Sequence, residues 1–263
     1  MVESEKVSFS QDQVLAYLKG LEKSEGGFSF APTVPPGIKD TYYATQTFRL
    51  LGEESLPTKA TVEWIAQEPF HPEAPLATLA CQAELCSMFE IPLPINLLSK
   101  IIEKEFNKNL STRRLWHLSV LAKLTGITEL ERKVEIELAR LNPLPNPSDT
   151  LETLVYKFIL VKDKPQNWDR KIEEWISTCR NGDGGYGCRP NTTSFLEHLY
   201  WATRLMESAG LSLSDSEREE SVQFVLGSQS KRGGFGRAPE GVPFIDSTYQ
   251  AVWTLNFLKV IEL

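Results

Sequence analysis

Three stretches of this chain align without a gap: "YLKGLEKSEGGFSFAP" (17–32), "WISTCRNGDGGYGCRP" (175–190) and "FVLGSQSKRGGFGRAP" (224–239). Each opens on an aromatic (Tyr17, Trp175, Phe224) that closes an apolar-periodic segment. Nine and ten residues later stand Gly26-Gly27, Gly184-Gly185 and Gly233-Gly234, followed at once by Phe28, Tyr186 or Phe235. Four residues further comes Pro32, Pro190 or Pro239; ten beyond it is Tyr42, Tyr200 or Tyr249, and two beyond that Ala44, Ala202 or Ala251. Three matches at one spacing are an internal repeat. Glycine accepts positive φ where a helix stops and the chain reverses, and proline suits an extended return or a new helix start, so the block reads as the turn of a helical hairpin. The aromatic between them plugs the space under that turn. Gly52 and Gly210, each 25 residues after the second glycine of its repeat, read as caps of the second helix.

The glycine pairs vanish between the first and the last two blocks, but helix pairs continue. Six are expected: about 10–23 with 40–51, 57–67 with 75–89, 95–107 with 111–125, 128–141 with 148–162, 167–180 with 194–209, and 215–229 with 246–261. Asp40, Pro75, Ser111, Ser148 or Asp149, Ser194 and Asp246 are suited to open the second helices. Strand signals are nearly absent. The second helices are the more apolar, as "TLACQAELCSMF" is beside the charged "TELERKVEIELARL". The glycine-bearing hairpins are the first, fifth and sixth, which become contiguous only if the chain ends meet. Both features are satisfied by an all-α fold over 1–263 as a single domain: a closed α/α barrel with second helices inside and first helices outside.

With 263 residues and 41% hydrophobic content the chain can fill such a core. A net charge of −7 argues against a nucleic-acid groove. No stretch approaches the ~20 apolar residues of a membrane span, and the amino terminus lacks a basic-then-apolar leader, so a soluble, cytoplasmic protein is expected. Cys81, Cys86, Cys179 and Cys188 show no C-x-x-C spacing and read as reduced thiols in or near the core.

The pattern Gln229, Gly233, Gly234, Phe235, Asp246, Tyr249 resembles the prenyltransferase/squalene-cyclase repeat, and the resemblance runs over nearly the whole chain. It implies an α6/α6 toroid whose centre holds an isoprenoid or other apolar small molecule, and a helical α subunit as a possible protein partner. Protein prenyltransferases of this family bind zinc through an Asp, a Cys two residues later and a His on a following inner helix. Here Asp40, Asp149 and Asp246 are followed two residues later by Tyr42, Leu151 and Thr248, so no zinc is expected and no other cofactor is identified. His198 stands where the family's zinc-ligating histidine would fall, and also where the first repeat has Asp40. The D-x-D-D acid of squalene cyclases is absent.

The candidate catalytic groups are therefore Asp40, His198 and Asp246, placed around the chamber as polar residues. Candidate substrate-binding residues are Tyr42, Tyr43, Tyr200, Trp201 and Tyr249, whose rings could line a pocket or pack between helices, with Tyr42, Tyr200 and Tyr249 favouring packing. "STRRLWHLSV" adds Arg113, Trp116 and His117 about one turn apart, an anion clamp beside an aromatic wall, or alternatively cations solvated or ion-paired at a helix start. Arg114, Arg204, Tyr156 and Lys157 are weaker candidates. The resemblance implies a prenyltransferase-like or terpenoid-cyclase-like activity on a prenyl diphosphate; the alternative is a non-catalytic lipid- or protein-binding toroid.

Overall fold

The computed structural model describes residues 9–53, 57–108, 110–142, 144–161 and 165–261. Its twelve helices are α1 (Gln11–Lys19), α2 (Ile38–Leu50), α3 (Lys59–Gln67), α4 (Leu76–Met88), α5 (Ile95–Phe106), α6 (Thr112–Thr125), α7 (Thr128–Leu138), α8 (Leu151–Leu160), α9 (Trp168–Cys179), α10 (Leu196–Ala209), α11 (Asp215–Gly227) and α12 (Ile245–Phe257). Among the described residues there is no strand; extended pairing is limited to isolated bridges, including Glu22 with Phe28, Arg180 with Tyr186 and Gln229 with Phe235. Those three bridges fall at one position of the repeat and pinch each glycine turn shut.

Burial sorts the helices into two rings. Outer α5 buries a single stripe, Leu98, Ile101, Ile102 and Glu105, and α9 buries Trp168, Ile172, Ile176 and Cys179. Inner α4 is covered along consecutive residues, Leu79 to Ala83, with Leu85 and Cys86 besides. Each even-numbered helix packs against the next, and α12 returns onto α2, so the inner ring closes. The expected α/α toroid is what forms. Ala44, Ala202 and Ala251 have no exposed surface, and their small side chains let neighbouring inner helices approach closely.

The glycine turns clamp each hairpin to the next. The first glycine, Gly26, Gly184 or Gly233, has positive φ, and a β-carbon there would meet the backbone carbonyl oxygen of Ala60, Glu220 or Gln13 at 2.3, 2.3 and 2.0 Å. The second, Gly27, Gly185 or Gly234, lies under the ring of Trp64, Phe224 or Tyr17. The block-opening aromatics Tyr17 and Phe224 thus pack on the glycine of the preceding hairpin, while Phe28, Tyr186 and Phe235 are the buried plugs. In the sixth hairpin the turn grips α1, so the seam of the ring carries the same contact as the joints on either side. Hydroxyls reinforce the joints: the Gly27 amide donates to Thr61 Oγ1 at 2.8 Å, and Ser221 Oγ donates to the Gly184 carbonyl at 2.9 Å.

Several expected ends move. Helix α1 stops at Lys19 rather than near 23, because Glu22 is drawn into its bridge and accepts bonds from the hydroxyls of Thr58 and Thr61, both at 2.6 Å. Helix α8 starts at Leu151, not 148, since Asn146, Ser148 and Asp149 bond one another as a turn and Thr150 caps the helix; its expected end at 162 lies outside the described residues. Pro75 and Ser111 do open their helices, whereas Gly37, Phe195 and Phe244 occupy the cap positions expected of Asp40, Ser194 and Asp246. Ser194 instead donates to Asp183 at 2.8 Å. Gly210 caps α10 in the left-handed region, and Gly52 follows the α2 cap Leu51 by one residue.

The four cysteines are unpaired, three buried and Cys188 partly so. No helix among the described residues is long and apolar enough to cross a membrane.

Candidate functional site

Inner helices alternate with outer ones, so all six run in one direction and their amino ends meet at one mouth of the ring. Below that mouth lies a cavity of about 330 Å³. Its wall is a relay of rings: Trp116 stacks on Tyr156 (5.4 Å between centroids), Tyr156 meets Trp201 (5.4 Å), Trp201 meets Tyr200 (4.8 Å), and Tyr200 meets Tyr249 (5.9 Å). Tyr249 continues to Tyr43 (5.4 Å) and Tyr43 to Tyr42 (5.4 Å). The rings come from α6, α8, α10, α12 and α2. Helix α4 completes the circle with Ala77, Ala80, Cys81 and Glu84, spaced as one helical face, and its small residues leave the room.

Burial holds the tyrosines protonated: it pushes Tyr42, Tyr43, Tyr156, Tyr200 and Tyr249 above the ordinary phenol value. The wall therefore presents π faces and neutral hydroxyls. The Cys81 thiol is pushed up to about 12 by burial, with Glu84 adding to it, so it is an inert lining group. Burial also raises the Glu84 carboxyl, partly offset by a hydrogen bond with Tyr42.

A second hollow of about 510 Å³ shares Ala77 and His117 with the cavity and lies over the first turns of α2, α4 and α6. It gathers Lys39, Lys104, Lys108, Arg113 and Arg114 against Glu73 and Glu105. Arg114 and Lys108 both grip the nearly buried Glu105, and Lys104 pairs with Glu73 at 3.0 Å. Arg113 contacts Glu152 at 3.4 Å with its side chain 61% exposed, and Lys39 has no carboxylate partner among the described residues. Cations outnumber acids, and the amino ends of α4 and α6 add positive dipole ends.

His117 is the partition between hollow and cavity, its Nε2 enclosed without a partner among the described residues. Burial chiefly, then Arg113 and Lys39, pushes it down to about 4. The unfolded chain takes up that proton near pH 6.5 and the folded chain only near 4, so stability is lost as pH falls through this window and is complete above it. Thermal melts between pH 7 and 4 should therefore decline more steeply for the natural protein than for His117→Gln; parallel curves would remove this role for the histidine.

Seven expected binding residues, Tyr42, Tyr43, Trp116, His117, Tyr200, Trp201 and Tyr249, line the one cavity, and Arg113 lines the hollow beside it. Tyr156 and Arg204 join the cavity. Asp40, His198 and Asp246 line neither. Asp40 accepts the Phe30 amide at 3.0 Å, its carboxyl raised by burial and, further, by Asp246; His198 packs on Phe195 at 5.4 Å and is lowered by burial. Lys157 is a structural group, buried in an ion pair with Asp149 at 2.7 Å.

A family model described as the prenyltransferase alpha-alpha toroid domain matches residues 2–72, 152–202 and 191–262. The chain belongs to this family. The matched segments hold the three glycine-bearing hairpins of the toroid, and the unmatched interval runs from α4 through α7. Among solved structures the toroid is similar to Candida albicans protein geranylgeranyltransferase-I complexed with GGPP, at 16% identity and a TM-score of 0.36, over 96% of this chain and 79% of that one. No curated protein matches it.

A zinc centre does not fit the residues of this toroid. None of Asp40, Asp149 and Asp246 has a thiol two positions on, His198 faces Phe195, and among the described residues no group of three His, Cys, Asp or Glu side chains comes together.

Proposed function

We propose that the toroid binds a prenyl diphosphate, with the isoprenoid chain in the aromatic cavity and the diphosphate in the basic hollow. The observation that carries this reading is the junction at Ala77 and His117, residues shared by an aromatic-walled chamber and a cluster of cations. Lys39 and Arg113 are the cations freest to meet phosphate oxygens, because Lys104, Lys108 and Arg114 are engaged by Glu73 and Glu105. Were such a diphosphate to ionise, the C1–O bond would break toward diphosphate, whose growing charge the hollow neutralises. The allylic cation left behind would face the π surfaces of Trp116, Tyr156 and Trp201. Asp40, His198 and Asp246 carry no part of this proposal.

Calorimetry with geranyl diphosphate and geraniol tests it. The diphosphate should bind at least about tenfold tighter than the alcohol, and the double variant Lys39→Gln/Arg113→Gln should erase most of that preference, the size expected for charge-assisted hydrogen bonds. Equal affinity for both ligands would refute the reading. A non-catalytic binding toroid is the second reading, favoured by the carboxylates already seated on four of the five cations. Tight diphosphate binding without release of diphosphate, alone or with a thiol acceptor, would select it.

A further inference from the structure

At its inner end the cavity holds a cation that no part of the proposed function uses. Arg204 lies on α10 one turn after Tyr200, so its side chain enters the same chamber. Its guanidinium sits 5.0 Å from the ring centre of Trp253 and 6.0 Å from that of Tyr200. Among the described residues its Nε is enclosed without a hydrogen-bond partner, and it takes part in no ion pair. Glu84, the acid in the same lining, is hydrogen-bonded with Tyr42 and makes no ion pair with Arg204. Ring faces offset part of the cost of taking a guanidinium out of water, and a hydrocarbon end placed against it offsets none.

We infer that the cavity is a carboxylate-binding site, in which Arg204 anchors the acid group of a small apolar carboxylic acid whose body lies against Tyr200, Trp201 and Tyr156. A planar guanidinium with free donors matches a carboxylate in two parallel hydrogen bonds, and an enclosed site strengthens both. The chamber of about 330 Å³ restricts the body to a compact skeleton. The acid would occupy the same chamber as the isoprenoid chain of the proposed function and compete with it, while its anchor, Arg204, is distinct from the cations of the basic hollow on the far side of His117.

The test uses three ligands with one ten-carbon skeleton: geranic acid, geraniol and geranyl diphosphate, titrated by calorimetry into the full chain. The natural protein should bind geranic acid at least about tenfold tighter than geraniol. Arg204→Met should erase that preference and leave any preference for the diphosphate in place, whereas Lys39→Gln/Arg113→Gln should leave the acid preference in place. Arg204→Lys, which keeps the charge and loses the fork, should retain part of it, with melting curves confirming that each variant is folded. Equal binding of acid and alcohol by the natural protein overturns the inference. So does an acid preference that survives Arg204→Met and disappears with the Lys39/Arg113 pair, since the carboxylate would then sit in the hollow. Loss of diphosphate binding alone would count against the proposed function and not against this site.

Discussion

Alanine in place of Gly233 should cost about 3 kcal/mol and lower the melting temperature by roughly 6–12 °C. The position has φ of +95°, and a β-carbon would stand 2.0 Å from the carbonyl oxygen of Gln13, a backbone atom held inside α1 that cannot swing aside as a side-chain tip could. Gly52 separates the two components of that cost. Its φ is +71° but nothing lies within 4 Å of an added β-carbon, so Gly52→Ala should lose only about 1 kcal/mol, the left-handed backbone component alone. Denaturant titration of both variants measures the difference. Equal losses would mean that the sixth turn does not press on α1, and the clamp at the seam would have to be abandoned.

Lys157→Met should be about as damaging or more so, at about 3–5 kcal/mol, because it strands a buried carboxylate. Lys157 Nζ and Asp149 are 2.7 Å apart with side chains only 6% and 7% exposed, and Asp149 also accepts the Asn146 amide at 3.0 Å, fixing the turn that leads into α8. Adding Asp149→Asn keeps the amide's acceptor and removes the orphaned charge. The double variant should then recover much of the loss in a denaturant titration, by the logic of a double-mutant cycle. A single variant that loses under 1 kcal/mol, or a double variant worse than the single, would contradict the buried-pair account.

The ring was legible because one steric demand repeats. Wherever a turn presses on the next outer helix the chain needs glycine, and that demand recurs at Gly26, Gly184 and Gly233 with the same plug, proline and tyrosine behind it. The aromatic lining was legible only in part: the repeat sets Tyr42, Tyr200 and Tyr249 at one position of three inner helices and favours packing for them, and they both pack ring on ring and line the cavity. The misses come from local contacts that helix phase does not reveal. Asp40 and His198 stand three residues before the lining residues Tyr43 and Trp201, yet Asp40 is taken by the Phe30 amide and His198 by the Phe195 ring, so neither points into the chamber. Arg204, a weaker candidate in the sequence, follows Tyr200 by four and does. Glu84 sits in a run, "TLACQAELCSM", that reads as core, and it faces the cavity with Ala77, Ala80 and Cys81 on one side of α4. The basic hollow had the weakest signal. Lys39, Lys104 and Arg113 come from three elements and meet only after the hairpins are stacked.

The central claim is that chamber and hollow form one amphiphile site, and a crystal structure of the toroid with geranyl thiodiphosphate, a slowly ionising analogue, tests it most directly. The account predicts the diphosphate against Lys39 and Arg113 beside His117, with the carbon chain running inward along Trp116, Tyr156 and Tyr200. Density for the analogue on the outer surface, or a diphosphate seated away from those two cations, would contradict it.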